Sequence, residues 1–376
     1  MNSRMIKCNL IGVFKALLKF LYYFMKLLPS KKKVVMVTRQ SNRIPLDFEL
    51  LKHEIEEAGQ EMQVIVLAKK IETGFLNKIA YCTHMLKIMY HLATSKVCVI
   101  DGYCIPVSIL KHKKSLKVIQ IWHASGAVKK FGYQVLDKQE GHSRWLAKAM
   151  CMHKNYDYVI APSEATKKVF AEAFNVPEEK VVKLGLPRLE YITNAEYDKT
   201  RQMLEEYPKL KGKKNIVYIP TFRKNKGTDL TEILNYPLDR EKYNLIINLH
   251  PLDTTNAPEE YQIDKKYNSY DLIKLADYII TDYSILSVEG SVLHKPIFLY
   301  TYDYEEYQET RGLNINLEEE LSSFTSHSFN DIMRRIEEQE YNMTEIENFR
   351  NKYIEVNAEE TVTVLSNFIT KVYKGE

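Results

Sequence analysis

From Lys33 onward, short runs of β-branched and apolar residues alternate with helical stretches, and this alternation leaves few folds open. Strands are expected at 33–38, 63–67, 96–100, 117–122 and 158–161, with helices at 47–58, 75–93 and 164–174 between them. Apolar strands separated by helices read as a parallel sheet covered on both faces. Around 190–213 the chain turns polar and charge-dense and passes the Lys211-Gly212-Lys213-Lys214 turn. A second series then begins, with strands expected at 215–219, 244–249, 278–281 and 296–300. At 376 residues the chain is long for a single core. The economical reading is two doubly wound α/β domains facing a cleft, 31–205 and 206–376. The last helix is open to packing back on the N-terminal domain. Ligands of such sheets bind at the carboxyl ends of strands, so residues there carry the functional weight.

The basic residues are unevenly placed. Residues 1–33 hold eight (Arg4, Lys7, Lys15, Lys19, Lys26, Lys31, Lys32, Lys33) and no acidic one, leaving 45 basic against 49 acidic in the body. The positive net charge therefore belongs to the N-terminus, and no nucleic-acid-binding face is expected. Within residues 1–30, Lys15, Lys19 and Lys26 fall within roughly 40° of one another on a helical wheel. The other faces carry Leu10, Val13, Phe14, Leu17, Leu18, Leu21 and Phe24. A basic stripe beside a broad apolar face describes an amphipathic helix in the interface of an anionic membrane. A spanning helix would bring Lys15 and Lys19 near the bilayer centre. A signal peptide would need an uninterrupted apolar region and a cleavage site. A helix packed on the protein's own core is the remaining alternative. Five cysteines without zinc-ligand or Cys-x-x-Cys spacing suit a reducing compartment.

Five places put polar or charged residues directly after an apolar strand. They are His123 in "VIQIWHASGAVKKFGY", Arg188 in "KLGLPRLE", Thr221 and Arg223 in "IVYIPTFRKNKG", His250 in "LIINLHPL", and Asp282-Tyr283-Ser284 in "ADYIITDYSILSVEG". The last runs into a helix carrying Glu289, whose N-terminus is a ready anion site. No phosphate-binding Gly-x-x-x-x-Gly-Lys loop, no dinucleotide Gly-x-Gly-x-x-Gly and no Asp-x-Asp pair is present. Phosphate is therefore expected to be neutralised by Arg223, His250, lysines and helix-end N–H groups, with no metal and no cofactor.

Assembled in order, "WHASGAVKKFG", "APSEATKKVFAEAFNV", "LGLPR", "YIPTFR", "LHP", "DLIKLADYIITDYS", "HKPIFLYTYDYEEY" and "RGL" resemble the CDP-glycerol glycerophosphotransferase family of wall teichoic acid biosynthesis. Ala124 after Trp122-His123 is similar to the short priming enzymes. The resemblance implies the GT-B architecture of two Rossmann-like domains. It also implies transfer of glycerol phosphate from CDP-glycerol to a polyprenyl-diphosphate-linked disaccharide, by a peripheral protein on the cytoplasmic face of the membrane. By it His123 is the general base, and Arg223 and His250 stabilise the transferred phosphate. Arg188, Thr221, Asp282, Tyr283, Ser284 and Glu289 bind the donor; Glu289 holds the ribose, and Asp282 meets the cytidine or caps the helix. Trp122, Ser125, Gly126, Lys129 and Lys130 lie on the acceptor side. A CDP-ribitol or polymerising transferase is the alternative, then a sugar-nucleotide glycosyltransferase, then an idle membrane-binding module.

Overall fold

The computed structural model describes residues 3–59, 61–138, 141–223 and 226–376, with side chains from residue 8 onward. It contains two parallel sheets. The first runs β1 (Lys33–Thr38), β2 (Gln63–Ala68), β3 (Val97–Ile100), β4 (Lys117–Gln120), β5 (Tyr158–Ala161) and β6 (Val181–Lys183), in the order β2-β1-β3-β4-β5-β6. The second runs β7 (Lys214–Tyr218), β8 (Tyr243–Ile247), β9 (Tyr278–Thr281), β10 (Ile297–Tyr300) and β11 (Thr325–Ser326), in the order β11-β10-β9-β7-β8. Central strands are buried along their whole length, which explains their uninterrupted apolar runs. The chain reverses its direction of winding at β1/β3 in the first sheet and at β7/β9 in the second. These switch points are where doubly wound sheets bind ligands. β6 and β11 escape sequence reading because strands of three and two residues carry too little pattern.

Each sheet forms its own compact unit. Unit 1 comprises residues up to Ala124, Phe131–Arg188 and Glu360–Glu376; unit 2 comprises Ser125–Lys130 and Leu189–Glu359. The division thus falls at Arg188/Leu189, not at the charge-dense stretch near 205. The segment after Arg188 belongs with the second sheet because the buried Tyr191 donates its hydroxyl to Asp271 Oδ1 at 2.7 Å. The C-terminal helix Thr361–Lys374 lies in unit 1, where Leu365, Ile369 and Val372 join a core with Phe48, Leu51 and Ile55. Those three come from α2 (Leu46–Glu57), the helix that follows α1 (Ser3–Met25).

α1 is the one described helix long and apolar enough to cross a membrane. It packs against α3 (Phe75–Thr94) and buries Leu18 and Tyr22. The Tyr22 hydroxyl meets His112 Nδ1 at 2.8 Å, and Lys15 Nζ donates to the Ala149 carbonyl at 2.6 Å. Lys15 therefore points into unit 1, which corrects the expected all-outward basic stripe. The charge finds a carbonyl there, and the outward face is left to Leu10, Val13, Leu17, Phe20, Phe24 and Leu27. Arg4 and Lys7 lie outside the residues whose side chains are described.

Candidate functional site

In unit 1, β4 ends at Gln120, and Trp122 then takes φ 61°, a left-handed conformation that is strained for a bulky residue. Its backbone N–H donates to Gln120 Oε1 at 2.8 Å, and Gln120 Nε2 donates to the Gly102 carbonyl at 3.1 Å. The indole stacks on Phe131, with centroids 4.6 Å apart, and lies 4.0 Å from the His123 ring. Trp122 thus shapes the turn that presents His123. His123 Nδ1 lies 2.9 Å from the Asp101 carbonyl and 3.2 Å from the Gln40 side-chain amide; the closer carbonyl can only accept, which assigns the proton to Nδ1 and leaves Nε2 its lone pair. Burial drives the imidazole pKa down to about 4, only partly opposed by that hydrogen bond. The ring is neutral at pH 7 and available as a base.

Arg188, expected on the donor side, is built into this unit instead. Its backbone N–H and its Nε donate to Asp47 at 2.9 and 3.0 Å, and its Nη2 also pairs with that carboxylate. Its Nη1 donates to the His123 carbonyl at 2.8 Å. Asp47 is buried, so the pair fixes the backbone on which the base sits.

In unit 2 the ends of β7 and β9 are joined. The Thr221 backbone N–H donates to both Asp282 oxygens, at 2.9 and 3.0 Å, and Arg223 Nη1 donates to Asp282 Oδ2 at 2.5 Å. Arg223 also makes a bidentate contact to Asp303 at 2.9 and 3.0 Å, and gives a further bond to the Thr221 carbonyl. The guanidinium is buried among the rings of Tyr283, Tyr302 and Tyr307, each 5.5–5.6 Å away. Most of its donors are thus committed to two carboxylates and a carbonyl. Asp282 neither caps a helix nor faces outward. Tyr283 is a fully buried ring stacked on Tyr307 at 4.1 Å and forms a wall of the Arg223 site.

Ser125–Lys130, placed on the acceptor side by sequence, is part of unit 2. The Ser125 N–H donates to Glu289 Oε1 at 2.9 Å, while Tyr270 donates to Glu289 Oε2 at 2.8 Å. Both oxygens of this buried carboxylate therefore have protein partners, and Glu289 staples the segment. Gly126 adopts φ 138°, and a Cβ there would lie 3.3 Å from Ile285 Cδ1, so the close approach needs glycine. The Lys130 N–H donates to the Gly312 carbonyl at 3.0 Å. Lys129 Nζ donates to Thr221 Oγ1 at 2.9 Å, which puts an ammonium at the β7/β9 switch point. Ser284 Oγ accepts from the Leu286 N–H at the start of the helix Leu286–Gly290. That helix has five residues, so its dipole is smaller than the sequence suggested. His250, after β8, is exposed; its Nδ1 accepts from the Leu252 N–H at 3.1 Å, which assigns the neutral ring's proton to Nε2.

Residues 20–371 match the family described as CDP-Glycerol:Poly(glycerophosphate) glycerophosphotransferase. The chain belongs to that family. It is accordingly a glycerophosphotransferase-type enzyme of teichoic acid biosynthesis. It is 31% identical to the teichoic acid ribitol-phosphate primase of Bacillus spizizenii, over 96% of each chain. It is 28% identical to the teichoic acid glycerol-phosphate primase of Bacillus subtilis, over 98% of this chain and 99% of that one. Among solved structures it superimposes on a variant of the wall teichoic acid polymerase TagF soaked with CDPG. The TM-score is 0.73 at 18% identity, covering 100% of this chain and 99% of that one, so the family fold is shared.

Sequence reasoning missed Asp47, Asp101 and Asp303. Asp101 follows β3 directly and Asp303 lies three residues past the end of β10, so both were open to the strand-end argument. Asp47 lies in the first turn of α2, where an acidic residue reads as an ordinary helix-start preference.

Proposed function

We propose that the enzyme transfers glycerol phosphate from CDP-glycerol to a hydroxyl of a polyprenyl-diphosphate-linked disaccharide, releasing CMP and adding one or few units. The observation that carries this reading is the end-to-end match to both primases, whereas the chain spans 55% of the poly(ribitol-phosphate) polymerase of Bacillus spizizenii. His123 Nε2 takes the acceptor hydroxyl proton as that oxygen attacks the β-phosphorus of the donor, the one bearing glycerol. The bond to the bridging oxygen breaks and CMP leaves with it. Charge gathers on the phosphoryl oxygens and on CMP, and Lys129, His250 Nε2–H and backbone N–H groups near Ser284 neutralise it. Arg223 acts through Asp282 by keeping the Thr221 turn in shape. CDP-ribitol is the second reading, favoured by the 31% identity to the ribitol-phosphate primase.

The same reading puts the enzyme on the cytoplasmic face of the cell membrane as a peripheral protein. The outward apolar face of α1 and the exposed Lys31 and Lys32 supply the contact with anionic lipid, whereas Lys33 is buried in β1. Incubating the pure protein with CDP-glycerol, CDP-ribitol or a UDP-sugar, with a lipid-diphosphate saccharide as acceptor, tests the assignment. Acceptor-dependent release of CMP from CDP-glycerol is expected; release of UDP alone would overturn it.

A further inference from the structure

The switch point of the first sheet holds a group of polar side chains that the mechanism above does not use. Arg39 follows β1 directly and Asp101 follows β3, while α3, which connects β2 to β3, brings Tyr81 and His84. Arg39 lies beside Tyr81 and carries its guanidinium 5.3 Å from the Tyr103 ring, and the Tyr81 and His84 rings are 6.0 Å apart. Tyr81 is 5% exposed and Asp101 4%. Among the described residues, Arg39 Nε, the Tyr81 hydroxyl, His84 Nε2 and Asp101 Oδ1 are all buried without a hydrogen-bond partner. Arg39 and Tyr81 lie against each other and Asp101 lies against Thr38, so these polar groups are held close without well-formed bonds. A buried polar atom left so costs about 1–3 kcal/mol, and Arg39, Tyr81 and His84, brought together by β1 and α3, are groups that a ligand would satisfy.

The chemistry of the group selects an anion. Arg39 is a fixed cation, and the tyrosine hydroxyl is a donor that burial holds in its protonated form. Burial, then Lys69 and Lys87, lowers the His84 pKa, so this surround is already cationic. Burial also raises Asp101 to about 7, which lets its carboxyl keep a proton and donate near neutrality. Gln40, next to Arg39, reaches His123 Nδ1 at 3.2 Å, so the group adjoins the base. α3 also exposes Phe75, Leu76 and Ile79, an apolar surface suited to lipid.

We infer that Arg39, Tyr81 and His84 bind a phosphate of the acceptor's lipid-diphosphate head group, a reading that rests on the function proposed above. The test is calorimetric titration of the full chain with farnesyl diphosphate, inorganic pyrophosphate and CDP-glycerol. Farnesyl diphosphate should bind more tightly than pyrophosphate. Arg39→Ala and Tyr81→Phe should each weaken it at least tenfold with CDP-glycerol affinity unchanged. Tyr81→Phe removes an unpartnered hydroxyl, so the melting temperature should hold or rise, which separates ligand contact from a role in folding. Farnesyl diphosphate affinity within twofold of wild type in both variants would overturn the inference. Equal affinity for pyrophosphate would overturn the lipid source and leave a free-phosphate site. Absence of CMP release by the wild type in the presence of the saccharide acceptor would instead count against the proposed function, leaving the binding result intact.

Discussion

His123 and Arg223 occupy opposite situations. His123 is a neutral imidazole with one nitrogen bonded and the other available; Arg223 is a cation enclosed by two anions. His123→Asn should lower turnover by about 10²-fold or more, the usual worth of a general base. In the wild type, kcat/KM should hold down to about pH 5 and fall toward the histidine's pKa of about 4. An acid limb centred near 6.5 would show that the base is not the buried imidazole. Arg223→Ala leaves the buried Asp282 and the half-buried Asp303 without their cation and should cost about 3–5 kcal/mol of stability. Lys129→Ala should instead weaken CDP-glycerol binding about tenfold or more while moving the melting temperature little. Calorimetry and thermal unfolding of the two variants check this contrast, and reversed outcomes would exchange their roles.

At the scale of elements, the strands were legible because burial on both faces writes continuous apolar runs, and the site residues because strand ends deliver them. What could not be read was which polar side chain a delivered residue would meet. Arg188 and Arg223 look like phosphate ligands in sequence, and only the fold supplies Asp47, Asp282 and Asp303, far away in the chain, to engage them. The Ser125–Lys130 excursion was equally hidden, since nothing in "HASGAVKKF" announces that six residues join the other sheet. α1 shows the same mixture. Its amphipathic pattern was plain, yet the inward course of Lys15 depends on the Ala149 carbonyl. Phe20→Glu combined with Phe24→Glu alters exposed positions only, so sedimentation with anionic liposomes should be lost without a drop in melting temperature. A large loss of stability would show that this face is packed against protein.

Over the whole molecule, buried titratable groups set an acid limit on stability. Burial lowers His91 and His123 to about 4 and His153 to about 3, and raises Asp101 to about 7. Between pH 4 and 6.5 the unfolded chain protonates three histidines that the folded chain keeps neutral, while the folded chain retains one proton on Asp101. The unfolded state thus binds more protons, and stability should fall with falling pH by on the order of 2 kcal/mol per pH unit. Urea unfolding at pH 4.5, 5.5 and 6.5 measures it; a flat profile would mean that these groups are solvated. The chain also passes between its two units four times, at 124/125, 130/131, 188/189 and 359/360. Neither unit is therefore a contiguous stretch of gene. Recombination at a single breakpoint cannot exchange one half for that of another enzyme without stranding the glycine-bearing segment that Glu289 holds or the helix that closes the first core. New donor or acceptor preferences in such a protein must then arise by substitution in place, with both halves inherited together.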